Sequence, residues 1–255
     1  MRSVIMSRLA LAFAVMLPLA AHAASEKVAL DKVDIDIYDQ PSLQRGVQLY
    51  TNYCMACHSL KYSRYERVAD DIGIPHDLYL ENLVFDDAKI GSLMENAMEP
   101  GLAQTWFGAA PPDLSLIARV RGGDWLYTYL RTFYKDESRP WGVNNAVFKD
   151  VGMPHVLAEM QGLCASKPAT GVQSEVDPMS GEIVGGGGCE NYVFEGEMTP
   201  AEFNSAMRDL TNFLVYVGEP SKLQANAIAP WVLLFLVILF IPVYLLNREY
   251  WKDIH

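Results

Sequence analysis

The sequence has little cysteine and comparatively few basic side chains. Four of its 255 residues are cysteines, too few for a scaffold that depends on many disulfides in place of a hydrophobic core. Its 20 lysines and arginines are outnumbered by 31 aspartates and glutamates, which gives a net charge of −11. A chain this acidic is not expected to bind nucleic acid, because contacts to phosphates need a basic surface.

Charged side chains are missing altogether between Lys222 and Arg248. An apolar helix of about 20 residues is long enough to cross the hydrocarbon core of a bilayer. A buried helix of a soluble domain is the alternative, but such helices usually keep a polar stripe. The sequence therefore predicts a transmembrane anchor over 222–247, with Arg248 and Lys252 marking a cytoplasmic tail over 248–255.

The amino terminus has the pattern of an export signal. Arg2 and Arg8 precede an apolar run from Leu9 to Ala20, and small residues follow at Ala21 and Ala23. This arrangement is typical of a secretory signal peptide over 1–23, whereas a retained anchor helix would need a longer apolar run. The body of the protein, 24–221, is then expected in the periplasm of a bacterium.

Acidic residues of this body occur in groups. Such groups usually form a solvated face, but they can also steer a basic partner protein. The groups are Asp31 with Asp34, Asp36 and Asp39; Asp70 with Asp71; Asp86 with Asp87; and Glu190 with Glu195 and Glu197.

The motif that carries chemistry is Cys54-Met55-Ala56-Cys57-His58, a C-x-x-C-H string of the kind that attaches c-type haem. Two thiols at this spacing can reach the two vinyl groups of one haem edge, and the histidine then faces the iron. A thiol-disulfide redox pair, half of a zinc site and a structural disulfide are the alternatives. The redox pair expects a strand before the motif, whereas 42–53 has a helical period, and the zinc site lacks further ligands at a recognisable spacing.

The second axial ligand is less clear from the residues alone. Methionine would favour electron transfer at a raised potential, and Met153 lies between Gly152 and Pro154, which suggests a fixed extended loop. His155 is a rival ligand, and several other methionines lie downstream. Spacing does not decide between them.

The last helix of the body has a well-defined predicted start. Thr199-Pro200-Ala201-Glu202 combines an N-cap, a proline at the first helical position and a capping-box glutamate, and Gly218 is followed by Glu219-Pro220, which ends the helix. An early helix that carries the haem motif and a late amphipathic helix would suit a cytochrome c core. The predicted fold class is therefore mainly α.

From about Asp34 to its carboxyl end the chain resembles the cytochrome c1 family, the haem subunits of the cytochrome bc1 complex (ubiquinol:cytochrome c oxidoreductase). The resemblance is carried by an ordered set of segments: Cys54 to Ser59 with Tyr62 and Tyr65, Ala110-Pro111-Pro112-Asp113-Leu114-Ser115, Arg119-Val120-Arg121-Gly122-Gly123, Gly152-Met153-Pro154, and the anchored tail.

The resemblance implies a cytochrome c-like haem domain with long loop insertions and one carboxyl-terminal transmembrane helix. It makes His58 and Met153 the axial ligands of one covalently bound haem c, and Arg121 the partner of a haem propionate. The Pro111-Pro112 turn would pack on the histidine side, where a backbone carbonyl could accept from the ring of His58. Outside the cytosol a disulfide between Cys164 and Cys189 is expected, as in some relatives.

The function implied is electron transfer with no substrate chemistry of its own. A Rieske iron-sulfur protein would deliver the electron and a soluble or tethered cytochrome c would accept it, in a dimeric complex with cytochrome b at the bacterial inner membrane. Two other functions stay open. A membrane-tethered haem sensor needs a displaceable sixth ligand, and an exported thiol oxidoreductase needs free, reactive thiols at Cys54 and Cys57.

Overall fold

The structure is a computed structural model, and it describes residues 28–172, 174–179, 183–185 and 187–252. The predicted signal peptide, 1–23, lies outside these residues, as does the end of the tail, 253–255. The helices are α1 (Gln40–Tyr53), α2 (Tyr65–Ile72), α3 (His76–Leu83), α4 (Pro100–Phe107), α5 (Ile117–Arg121), α6 (Gly123–Arg131), α7 (Ala158–Gln161), α8 (Pro200–Gly218) and α9 (Lys222–Tyr250). About half of the chain is helical, which confirms the predicted fold class.

The core forms where α1 crosses α8. Gly46 brings the two helices into close contact, because a Cβ built on it would lie only 2.4 Å from the carbonyl oxygen of Asp209. The side chain of Asp209, itself buried, accepts hydrogen bonds from Ser42 (2.6 Å) and from the guanidinium of Arg45 (2.5 Å to Nε). Tyr50 and Phe213 pack at the same crossing, with ring centroids 5.8 Å apart. The crossing therefore fixes α1, which leads directly into the C-x-x-C-H motif.

Both helices begin at a side-chain cap. The side chain of Asp39 caps α1 by accepting from the backbone N–H of Ser42 (3.1 Å). At α8 the predicted capping box is present, since Thr199 accepts from the backbone of Glu202 and the carboxylate of Glu202 accepts from the backbone N–H of Thr199 (2.8 Å). The predicted start and end of α8 are confirmed.

Short strands hold the loop regions together. β3 (Phe133–Lys135) pairs antiparallel with β4 (Val143–Asn145) and parallel with β5 (Gly162–Cys164), and β5 pairs antiparallel with β8 (Tyr192–Glu195). A disulfide joins Cys164 of β5 to Cys189, with Cα atoms 5.2 Å apart. Two smaller sheets pair β1 (Leu60–Arg64) with β2 (Leu93–Met94), and β6 (Ser174–Val176) with β7 (Ile183–Gly185).

A buried ion pair ties the amino-terminal segment to the rest of the domain. Asp31 and Arg131 meet at 3.0 Å with both side chains almost fully buried. Arg131 also donates to Asn204 on α8 (2.7 Å), while Asp31 accepts from the backbone of Gly171 (2.7 Å). Asp31 is therefore buried and paired. Its place in an acidic group had suggested a solvated face.

The last helix, α9, is 29 residues long, and its most apolar window has a mean hydropathy of 2.6 with none of it buried against the domain. These properties fit a membrane anchor. The helix continues through Pro230 and Pro242, although each proline removes one backbone donor from it. The hydroxyl of Tyr38 contacts the first turns of α9 through the carbonyl of Lys222 (3.3 Å) and the side-chain amide of Asn226 (3.2 Å).

Candidate haem site

The C-x-x-C-H motif forms a tight turn at the end of α1. Cys54 closes the helix with a bond from its N–H to the carbonyl of Tyr50 (2.9 Å), and the N–H groups of Cys57 and His58 both bond to the carbonyl of Cys54 (3.0 and 2.8 Å). The hydroxyl of Tyr50 donates in turn to the carbonyl of His58. Both thiols and the imidazole are thus presented by one short, hydrogen-bonded turn.

The ring of His58 is oriented by the proline turn. Its Nδ1 lies 2.7 Å from the carbonyl oxygen of Pro112. Because a carbonyl can only accept, Nδ1 must carry the proton, which leaves Nε2 with its lone pair free to bind a metal. Burial lowers the pKa of His58, although the bond to Pro112 opposes this, so the imidazole stays neutral near pH 7. A neutral ring is the form that ligates iron.

The proline turn is itself anchored to the segment that follows the motif. The N–H of Leu114 bonds to the carbonyl of Ser59 (3.0 Å), and the carboxylate of Asp113 accepts from the N–H of Lys61 (2.9 Å). These two contacts hold the carbonyl of Pro112 beside His58. The hydrogen bond is therefore built into the packing of two chain segments.

The two rival axial ligands have different surroundings. The sulfur of Met153 lies 3.3 Å from the hydroxyl of Tyr129, and the Met153 side chain is half-buried. The ring of His155 stacks on Phe133, with centroids 4.8 Å apart, and its Nε2 lies 3.1 Å from the carbonyl of Gly162. Burial lowers the pKa of His155 to about 4. His155 is therefore packed as a neutral core residue with Nε2 already engaged.

Arg121 lies at the end of α5 with an exposed guanidinium. Its Cζ is 5.0 Å from the ring centroid of Trp125 and 5.9 Å from that of Phe148. Within the part of the chain that the structure describes, no carboxylate forms a salt bridge with it. The aromatic rings hold a planar cation whose donors are free for an anionic group.

The thiols of Cys54 and Cys57 are not joined to each other. Burial is the main cause that raises the pKa of Cys54 to about 12, and burial also raises the pKa of Cys57. A reactive dithiol pair needs the opposite, a lowered pKa on an accessible thiol. No group of three or more side chains that could bind a metal ion occurs among the described residues.

These side chains fit a haem. Imidazole nitrogen and thioether sulfur are axial ligands that haem iron takes in cytochromes c, and two thiols in the C-x-x-C-H spacing suit its vinyl groups. A cavity of about 220 Å³ opens beside Cys57 and is bordered by Pro111. A larger cavity of about 570 Å³, between the disulfide and the start of α8, includes none of the predicted haem residues in its lining.

The contact of Tyr129 with Met153 was not predicted from the sequence. A tyrosine on an amphipathic helix has the pattern of ordinary core, and no local signal indicates that its hydroxyl meets a methionine 24 residues further along the chain. Only the packing of α6 against the Gly152-Met153-Pro154 loop brings the two together.

Comparison with known proteins agrees with this site. The sequence profile of the "Cytochrome C1 family" matches residues 32–98 and 93–254. The chain is 46% identical to a cytochrome c1 of Allochromatium vinosum over 243 residues, which cover 95% of this chain and 97% of that protein. It is 43% identical to a protein of Nitrosomonas europaea named ammonia monooxygenase gamma subunit, over 93% of this chain and 94% of that protein.

More distant relatives are also named cytochrome c1. A cytochrome c1 of Rhodobacter capsulatus is 24% identical over 247 residues, which cover 84% of each chain. The profile match, the near full-length identity to a cytochrome c1 and the arrangement of the C-x-x-C-H turn lead to one conclusion: the chain belongs to the cytochrome c1 family, the haem-binding electron-transfer subunits of the cytochrome bc1 complex.

Proposed function

We propose that this chain carries one haem c, bound through thioether bonds from Cys54 and Cys57, with His58 and Met153 as the axial ligands of its iron. The hydrogen bond from His58 Nδ1 to the carbonyl of Pro112 is the observation that carries the proposal. It fixes the tautomer and the orientation of the ring, and it leaves Nε2 unprotonated. A histidine with a merely structural role would not need its second nitrogen left free.

The haem, when bound, supplies a one-electron change at its iron, and the residues of the chain set the conditions for it. His58 and Met153 would hold the iron in a low-spin state in both oxidation states, so that little rearranges when the electron moves. Arg121 would offset the charge of a propionate with its free donors. The α1–α8 crossing keeps the binding turn rigid.

The electron would come from a Rieske iron-sulfur protein and leave to a soluble or tethered cytochrome c. Membership of the family supports a place beside cytochrome b in a dimeric complex. Arg248 and Lys252 follow the apolar part of α9, and a basic flank is typical of the cytoplasmic side. The haem domain would then face the periplasm of a bacterial inner membrane, held there by α9.

The assignment of Met153 is tested by absorption spectra of the full-length, detergent-purified protein. Wild type should show a low-spin c-type haem with the weak red band of iron-sulfur ligation. Met153→Leu should lose that band and bind carbon monoxide, because leucine has no donor atom. Met160→Leu, a change at a nearby buried methionine, is the matched control and should keep the band. A band that survives Met153→Leu would exclude this ligand and return the assignment to His155 or another methionine.

The two other functions considered from the sequence find no specific support in the structure. The raised pKa of Cys54 opposes a thiol oxidoreductase. A haem sensor would need an open iron position, and the test above addresses it directly, since carbon monoxide binding by the wild-type protein at neutral pH would favour that function.

A further inference from the structure

The hydroxyl of Tyr129 is held against the sulfur of Met153. Tyr129 stacks on Trp125, with ring centroids 4.9 Å apart and planes 12° from parallel, and its edge meets Phe133 at 5.2 Å. Its backbone carbonyl accepts from the side chain of Asn145 (2.8 Å). The phenol ring is therefore fixed on two sides, and its oxygen points at the thioether from a distance of 3.3 Å.

The hydroxyl has no other partner among the described residues. A phenol is protonated at physiological pH, so the group is a hydrogen-bond donor. A partly buried hydroxyl is normally paired with nitrogen or oxygen, because a lost hydrogen bond is costly and sulfur is a weak acceptor. Packing alone therefore does not require a tyrosine whose hydroxyl donates only to sulfur.

A thioether sulfur has two lone pairs. If Met153 gives one of them to the iron, the other can accept from Tyr129. The hydrogen bond draws electron density from the sulfur and makes it a weaker donor. Ferric iron needs that donation more than ferrous iron does, so a weaker donor favours the reduced state.

We propose that Tyr129 is a positioning residue for the axial sulfur of Met153, and that its hydrogen bond raises the reduction potential of the haem. This inference rests on the proposed ligation by Met153. Tyr129 would then influence the driving force for electron transfer although it does not itself bind the iron.

The test uses the full-length, haem-loaded protein in detergent and the variant Tyr129→Phe, which removes the hydroxyl and keeps the ring. We expect the red iron-sulfur band to remain but to change in energy. The ratio of reduced to oxidised protein at a fixed potential should fall roughly three- to tenfold, or about 30 to 60 mV at 59 mV per tenfold.

Tyr79→Phe is the matched control. Tyr79 is fully buried, and its hydroxyl has no hydrogen-bond partner among the described residues. The control should leave both the band and the potential at their wild-type values. If Tyr129→Phe has the same potential as Tyr79→Phe, the inference is overturned even though Met153 remains the ligand. If Met153→Leu keeps the band, the proposed function fails first, so the two failures are distinguishable.

A second measurement reverses the perturbation and does not depend on Tyr129→Phe folding. Incorporation of 3-fluorotyrosine at position 129 makes the phenol a stronger donor in nearly the same volume. The potential should then rise above that of wild type. An unchanged or lowered potential would show that the hydroxyl acts through packing instead of hydrogen bonding, and would overturn the inference.

Discussion

Replacing Gly46 with alanine should destabilise the haem domain and disturb the haem-binding turn that follows α1. A Cβ at this position would lie 2.4 Å from the carbonyl oxygen of Asp209 and 2.5 Å from the Cβ of Phe213. One obstructing atom belongs to the backbone of α8, and the other is the first carbon of the Phe213 side chain. Neither is the far end of a flexible side chain, so neither can move aside by itself. One helix must shift by about 1 Å to restore ordinary contact distances.

The size of the effect follows from two opposing contributions. Overpacking a close-packed core costs typically 1–3 kcal/mol, and a backbone obstruction belongs at about the upper end. Alanine in a helix interior gains about 1 kcal/mol over glycine. The net loss of unfolding free energy should therefore be about 2 kcal/mol.

Urea titration of the detergent-solubilised protein, followed by circular dichroism, measures this loss. Gly123→Ala is the matched control, since its Cβ would meet its nearest neighbours, on Ile35 and Val215, at 3.5 Å, an ordinary contact distance. We expect this variant to be as stable as wild type or slightly more so. Equal stability of Gly46→Ala and Gly123→Ala would refute the argument that the α1–α8 crossing depends on glycine.

Three further changes test separate parts of the site and its surroundings. Arg121→Gln should lower the reduction potential by tens of millivolts, because the positive charge that we propose lies beside a haem propionate would stabilise the reduced state. Arg119→Gln, which breaks an exposed pair with Glu219, should not lower it. Asp31→Asn should lower the free energy of unfolding, measured by urea titration, by about 3–5 kcal/mol, because it leaves the buried charge of Arg131 without its partner. An equal loss in an Asp34→Asn variant would contradict this reason. The rate of electron transfer to a basic cytochrome c should fall as salt rises, whereas a salt-independent rate would remove the steering role of the acidic surface.

Local signals made the helices at both ends of the domain predictable. Thr199, Pro200 and Glu202 lie within four residues of one another, and each acts through the first turn of the helix that it starts. The C-x-x-C-H motif is equally local, so it indicates haem attachment without any knowledge of the fold. The expectation that the carbonyl of the Pro111-Pro112 turn lies beside His58 came from resemblance, because no local pattern links residues that are 54 positions apart.

Contacts between distant segments were beyond the sequence. Asp31 belongs to a run of acidic residues and has the pattern of a surface group, yet it is buried against an arginine 100 residues away. Tyr129 likewise has the pattern of an ordinary core residue on its helix, and the sequence does not indicate that its hydroxyl contacts Met153. The strands of the sheet that contains β3 and β5 are three or four residues long, too short for a period of two to be distinguished from a loop.

The crossing of α1 and α8 also constrains the order in which the protein can mature. Arg45 and Asp209, which meet there, are 164 residues apart, so α1 cannot make this contact until nearly the whole domain has been synthesised. Contacts of such long sequence separation form slowly, because a large loop must close first. Until α8 docks, α1 lacks the contacts of Gly46 and Tyr50 with α8 that precede the turn of Cys54 and Cys57. Because α9 begins four residues after α8 ends, α8 can dock only once the chain is complete almost to the start of this apolar helix.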